Sequence, residues 1–275
     1  MRLPTVAIVG LGQIGGSLAA ALTKRRLARV RGVTRRAETV RRALRMGILA
    51  EAGTDLSAVS TADVVVLATP VRTLLRQIPA VVPLARRDAL LTDVGSTKAD
   101  VLSAFRRAKP RAAAVGGHPM AGNERAGLDG CDPDLFENRP WVLIPLRPAD
   151  RPRGRVLERL VGAVGARPVW MEDPHVHDLT VARISHVPYL LAYALTGQPD
   201  GALRVAGNSF RDATRVALSD LDMCLDFLLT NRGPIRRAAG ELIARLRELV
   251  RMVGRSDEEA LRRAMAAARR RRERL

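Results

Sequence analysis

Two short polar segments stand out because a packed core would have no use for them: Thr92-Asp93-Val94-Gly95-Ser96-Thr97-Lys98 and Gly116-Gly117-His118-Pro119-Met120-Ala121-Gly122. Both stand at expected strand ends, where an open α/β sheet gathers its ligands. A hydroxyl from Ser96 and an imidazole from His118, held side by side, could orient and deprotonate a substrate hydroxyl. Histidine exchanges its proton at about pH 6.5 when unperturbed, which suits that task near neutrality.

A carbon whose hydroxyl loses its proton is ready to give up hydride, and the N-terminus offers a place for the acceptor. Val6 to Ser17 runs Val-Ala-Ile-Val-Gly10-Leu-Gly12-Gln13-Ile14-Gly15-Gly16-Ser. It reads as strand, tight turn and helix, the context that makes a Gly-x-Gly-x-x-Gly pattern a dinucleotide site. Gly10 serves the turn, Gly12 admits a pyrophosphate close to the backbone, and Gly15 lets the helix lie against the strand. The unpaired amides of the first helical turn, with Gln13 and Ile14, then face the phosphates. Asp63 to Thr69 is an apolar buried strand that stops at Pro70, and Thr69 and Pro70 complete the expected cofactor contacts. After a second strand over Arg29 to Thr34, an NAD site usually carries an acid for the ribose 2′-hydroxyl. Thr34-Arg35-Arg36 stands there instead. Two guanidiniums favour a 2′-phosphate, so NADP is expected in preference to NAD, with NAD still possible.

The elements that position these residues follow from periodicity. A helix over Ala37 to Met46 closed by Gly47, a strand over Ala89 to Thr92, the strand Trp141 to Pro145, a helix over Gly154 to Gly165 and the strand Arg167 to Met171 extend the alternation. Strand alternating with helix predicts a Rossmann-type, doubly wound parallel sheet. Beyond Asp173 helical periodicity takes over, at His177 to Leu195, Leu203 to Ala217, Leu221 to Asn231, Pro234 to Val253 and from Ser256 onward. The expected division is a dinucleotide-binding domain over 1–172 and an all-α domain over 173–275. Leu221 to Leu229 and Leu242 to Val253 carry more apolar positions than one buried face needs, which predicts a homodimer.

Composition bounds the rest. The chain has 275 residues, 47% of them hydrophobic, enough for a core without staples. Cys131 and Cys224 lie far apart with no metal-binding spacing. No stretch is long enough for a membrane span, and a soluble cytoplasmic protein is expected. The formal charge of +18 would ordinarily raise a nucleic-acid partner. Lysine, however, occurs only at Lys24, Lys98 and Lys109, so the charge is scattered arginine apart from the end over Arg262 to Arg274, which reads as a helix with a solvated basic tail.

Taken together, the glycine loop, Asp93-Val-Gly-Ser96-Thr-Lys98, Gly117-His118-Pro-Met-Ala-Gly122 with Glu124, His177-Asp178, Ser185-His186-Val-Pro188 and Phe210-Arg-Asp-Ala-Thr-Arg215 resemble the prephenate and arogenate dehydrogenases of tyrosine biosynthesis. The resemblance covers essentially the whole chain. It implies a nucleotide-binding domain followed by a helical dimerisation domain, and oxidative decarboxylation of prephenate to 4-hydroxyphenylpyruvate, or of arogenate to tyrosine. His118 then matches the histidine that takes the proton of the ring 4-hydroxyl, and Ser96 the residue that orients it. Arg215 matches the arginine that receives the ring carboxylate. Ser185, His186 and Tyr189 lie on the helix that lines the substrate site, and Glu124 belongs to the same set. No metal is implied, although His175 and His177 have a spacing that could invite one.

The chain departs from the pattern at Tyr189, where the family usually has a histidine, at Gly207-Asn208-Ser209 and at Cys224. These departures lie on the substrate side, which opens 4-amino-4-deoxyprephenate as an alternative substrate. A dinucleotide-sensing DNA-binding regulator is the non-enzyme alternative, and no segment reads as a recognition helix. A 3-hydroxyacid dehydrogenase would be expected to use a lysine in its helical domain, and this chain has none after Lys109.

Overall fold

A computed structural model of the chain describes residues 3–123 and 125–274. The N-terminal part is built on an eight-stranded sheet in the order β3-β2-β1-β4-β5-β6-β7-β8. Its strands are β1 (Thr5–Val9), β2 (Arg29–Val33), β3 (Glu51–Gly53), β4 (Val64–Leu67), β5 (Leu90–Asp93), β6 (Ala113–Pro119), β7 (Pro140–Pro145) and β8 (Arg167–Trp170). The helices α1 (Gln13–Lys24), α2 (Ala37–Arg45), α3 (Val71–Val81), α4 (Ala99–Ala108) and α5 (Arg151–Ala163) cover its faces. Strands β1, β4 and β5 are buried along their whole length; β4 and Val6 to Val9 of β1 read as continuous apolar runs, while β5 ends on the buried Thr92 and Asp93. One apolar layer holds Val6, Ile8, Leu22 and Trp141, and the other holds Ala7, Val65, Leu74 and Phe105.

The expected sheet is present with one correction. β7 pairs antiparallel with β6, and β8 follows β7 in parallel. Among the described residues the connection from β6 to β7 carries a 3₁₀ turn, Gly127–Gly130, and no crossover helix, and the chain returns against the strand it has left. The short edge strand β3 was not expected from the sequence.

The second part is helical: α6 (Pro174–Val181), α7 (Val187–Thr196), α8 (Asp200–Leu203), α9 (Asn208–Thr214), α10 (Leu221–Thr230), α11 (Arg232–Gly254) and α12 (Glu258–Arg272). The single helix expected over His177 to Leu195 is divided by a π turn, Ala182–His186. Pro188 has no N–H to give and its ring crowds the preceding turn, and the wider turn relieves both. The helix expected over Leu203 to Ala217 is likewise broken, with Gly207 capping α9 and a 3₁₀ turn over Arg215–Leu218.

Two aspartates of the helical part hold it to the sheet. Neither α3 nor α4 has a side-chain cap of its own. Asp226 of α10 accepts the backbone N–H of Val71 and, at 3.0 Å, that of Arg72. Asp178 of α6 accepts the N–H of Lys98 at 2.7 Å and of Ala99 at 2.9 Å. These bonds satisfy helix N-termini across the junction, each worth about 1.5–3 kcal/mol as a hydrogen bond to a charged group. Leu221, Leu225 and Leu229 of α10 and Leu246, Val250 and Val253 of α11 are exposed. No helix among the described residues is long and apolar enough to cross a membrane.

Candidate active site

The strand order reverses between β1 and β4, and a cavity of about 740 Å³ opens at the carboxyl ends of these two strands. Its walls include Gly10 and Gly12, Thr34 to Arg36 at the end of β2, and Ala68 to Pro70 at the end of β4. Gly10 has φ +109°, which an L side chain resists, and a Cβ there would press on the Ala68 carbonyl. A Cβ on Gly15 would collide with the Gly10 carbonyl oxygen, so α1 can lie this close to β1 only with glycine. At Gly12 a Cβ would meet nothing within 4 Å, which leaves the backbone at the mouth of α1 open to a ligand. The α1 N-terminus has no side-chain cap. Unpaired first-turn amides, the helix dipole and an open approach together fit a dinucleotide pyrophosphate.

A second cavity of about 290 Å³ shares Gly12, Thr69, Pro70 and Gly127 with the first and continues toward β5 and β6. Gln13, Ile14, Ser96, His118, Asp220 and Met223 are among its lining. Gln13 spends its side chain on the loop after β6: Nε2 donates to the Asn123 carbonyl at 3.0 Å and the Arg125 carbonyl at 2.6 Å.

The loop bearing Ser96 and the strand bearing His118 are tied by Asp93. Its carboxylate accepts the N–H of Gly95 at 2.8 Å and of Gly117 at 3.2 Å, and it pairs with the ammonium of Lys98. Both ends of that ion pair are fully buried. His118 itself is buried, and its Nδ1 lies 2.9 Å from Nε2 of His177. Nδ1 of His177 meets Asp178 Oδ1 at 2.8 Å. Burial, with lesser contributions from His177, Lys98 and His186, holds His118 well below the usual histidine range. It is therefore neutral at pH 7 and able to accept a proton.

The other expected substrate residues lie elsewhere. Arg215, exposed on the 3₁₀ turn before α10, does not line this cavity, nor do Ser185 and Tyr189. His186 lies inside the helical part. It is buried, stacks on Phe227 with ring centroids 4.6 Å apart, and its Nδ1 accepts from Asn231 Nδ2 at 3.0 Å. These contacts fix the ring within the packing of the helical part. Glu124 lies outside the described residues.

Residues 18–170 match the family model for the prephenate dehydrogenase nucleotide-binding domain, and residues 173–267 match the dimerization domain of the same family. The chain belongs to the prephenate dehydrogenase family. It is 34% identical over 268 residues to the prephenate dehydrogenase of Bacillus subtilis, covering 94% of this chain and 72% of that protein. Among solved structures, prephenate dehydrogenase from A. aeolicus in complex with hydroxyphenyl propionate and NAD+ superposes with a TM-score of 0.90 at 28% identity, over 99% of this chain and 98% of that one. Synechocystis arogenate dehydrogenase superposes with a TM-score of 0.85 at 29% identity, over 98% of this chain and 99% of that one. As a prephenate dehydrogenase family member, the chain is an NAD(P)-dependent oxidoreductase whose reaction is oxidative decarboxylation with hydride transfer to a nicotinamide.

In this prephenate dehydrogenase fold several site residues carried no local signal. Glu38, Thr39 and Arg42 of α2 line the larger cavity together with Asp129, which pairs with Arg42 across it. Their helical spacing places three of them on one face, which the sequence shows, but nothing local says that this face meets a ligand. Asp220 and Met223 reach the smaller cavity only because α10 docks on α3.

Proposed function

We propose that this chain oxidises prephenate, with NADP preferred to NAD, using His118 as the base and Ser96 to orient the reacting hydroxyl. The observation that carries the reading is a buried, neutral imidazole in a cavity contiguous with the dinucleotide cleft. His118 accepts the 4-hydroxyl proton as the carbon–oxygen double bond forms and the C4 hydrogen leaves with its electron pair. A bound oxidised nicotinamide would supply the acceptor for that hydride. The ring carboxylate then departs as carbon dioxide, its bonding electrons complete the aromatic ring, and the phenolate oxygen takes back a proton. Aromatisation and loss of gas make the step effectively irreversible. Gly10, Gly12, Gln13, Ile14, Gly15, Thr69 and Pro70 would hold the pyrophosphate and nicotinamide end.

Arg35 and Arg36 would fork onto a 2′-phosphate at the end of β2. Glu38 shares that wall, so the preference rests on two guanidiniums outweighing one carboxylate. Arg215, outside the cavity lining in this structure, would receive the ring carboxylate by reaching in from its exposed turn. Its turn leads directly into the N-terminus of α10, where Asp220 and Met223 line the cavity.

We take residues 1–172 as the nucleotide-binding unit and 173–275 as the unit that pairs two copies in a cytoplasmic homodimer. The apolar faces of α10 and α11 support the pairing. In the basic C-terminal helix, Arg262, Arg263 and Arg269 pair with Glu258, Glu259 and Glu273 one turn away, which supports a solvated tail over a nucleic-acid contact. Turnover of prephenate, arogenate and 4-amino-4-deoxyprephenate with each cofactor tests the assignment. The expected order puts prephenate with NADP first, and a higher kcat/KM for either other acid would overturn the substrate choice.

A further inference from the structure

The smaller cavity has a polar chain behind it that the proposed chemistry has not used. Asp178 is locked in place. Its Oδ1 accepts the N–H of Lys98 at 2.7 Å, its Oδ2 that of Ala99 at 2.9 Å, and its backbone carbonyl accepts Asn231 Nδ2 at 2.8 Å. The carboxylate cannot turn away without uncapping α4. At 2.8 Å from such an acceptor, Nδ1 of His177 carries hydrogen. A neutral imidazole has one donor and one acceptor, so Nε2 of His177 then presents a lone pair. Burial keeps His177 below the usual histidine range although Asp178 pulls the other way, which holds the ring in that neutral form. Nε2 of His177 lies 2.9 Å from Nδ1 of His118, with the rings edge to face at 72°, so Nδ1 of His118 is the donor.

We propose that His177 and Asp178 are positioning residues that place the His118 proton on Nδ1 and leave the lone pair of Nε2 toward the substrate hydroxyl. The inference rests on the reading of His118 as the base. In the opposite tautomer Nε2 would carry hydrogen and could accept nothing. Once His118 takes the substrate proton, its Nδ1–H still points to His177, and the new positive charge faces a chain that ends on the Asp178 carboxylate. Neither residue touches the substrate in this arrangement. Their effect is to set which nitrogen of His118 is basic.

Two-bond ¹H–¹⁵N correlation spectra of the full chain at neutral pH test this, and with four histidines in the sequence each ring can be assigned by substitution. The expected result is Nδ1–H at both His118 and His177. A protonated Nε2 on His118 would overturn the proposal. Kinetics supply a second arm. His177→Gln keeps an acceptor for His118 Nδ1 and should stay within about tenfold of the original kcat, whereas His177→Phe removes it and should lose roughly 10²-fold in kcat with KM little changed. Equal kcat in the two variants would count against a tautomer-setting role. Should His177→Phe not fold, the spectrum of the unaltered protein still decides. Full turnover in His118→Asn would remove the base reading, and with it the purpose of the chain, while the tautomer assignment would stand; the two failures are therefore distinguishable.

Discussion

The imidazole of His186 stacks on the ring of Phe227 at an interplanar angle of 20°, inside the helical part. Burial pushes this histidine down to about 4, with the Asp178 charge opposing and His177 adding to the shift. The folded protein therefore refuses a proton that the unfolded chain accepts below about pH 6.5. Stability should be complete above that value and fall as pH drops toward 4, by roughly 3 kcal/mol for a shift of this size. Urea unfolding at pH 7 and pH 5 measures it. His186→Phe should be less stable at pH 7, because Asn231 loses its acceptor, yet show a shallower pH dependence. An unchanged slope would show that another group carries the acid sensitivity.

Cofactor choice should follow Arg35 and Arg36. Replacing both with alanine should lower kcat/KM for NADP by roughly 10-fold or more, as one or more charge-assisted contacts of about 1.5–3 kcal/mol are lost, and leave NAD nearly unaffected. A preference for NAD in the unaltered protein, or NADP turnover indifferent to the double substitution, would remove the basis for the assignment.

Arg215→Ala should chiefly raise KM for the substrate, because an anchor for the ring carboxylate acts on ground and transition states alike. A loss of about 1.5–3 kcal/mol corresponds to roughly 10- to 100-fold. Steady-state kinetics at saturating cofactor give the answer, and an unchanged KM would exclude the anchor.

The exposed leucines at 221, 225 and 229 and the apolar row ending at Val253 should be covered by a second copy. Light scattering at micromolar concentration should return twice the chain mass. Leu225→Glu combined with Leu246→Glu should shift it toward the monomer, since carboxylates would have to be buried unpaired. A monomer in the unaltered protein would contradict the pairing.

What the sequence showed, and what it hid, divides along the range of the interactions. Gly10, Gly12 and Gly15 were legible because their constraints are local: a positive φ, an open approach and a close helix, all within one strand-turn-helix. Ser96 and His118 were legible as polar residues at strand ends. The partner of His118 lies 59 residues away and is met only when α6 docks on the sheet. The same holds for Asp178 and Asp226, whose carboxylates cap helices 79 and 154 residues distant in the chain. His186 beside Ser185 reads as a ligand-side histidine in the sequence, and only the fold shows that its ring is buried and stacked on Phe227. The reversed direction of β7 depended on a long connection whose lack of helix the turn residues did not reveal.

Removal of the hydroxyl proton by His118 is the step on which the chemistry depends. It is tested most directly by kcat for prephenate in His118→Asn, which keeps the size and polarity of the side chain but has no basic nitrogen. A fall of roughly 10²- to 10⁴-fold is expected, with KM little changed. A kcat near that of the unaltered protein would contradict it.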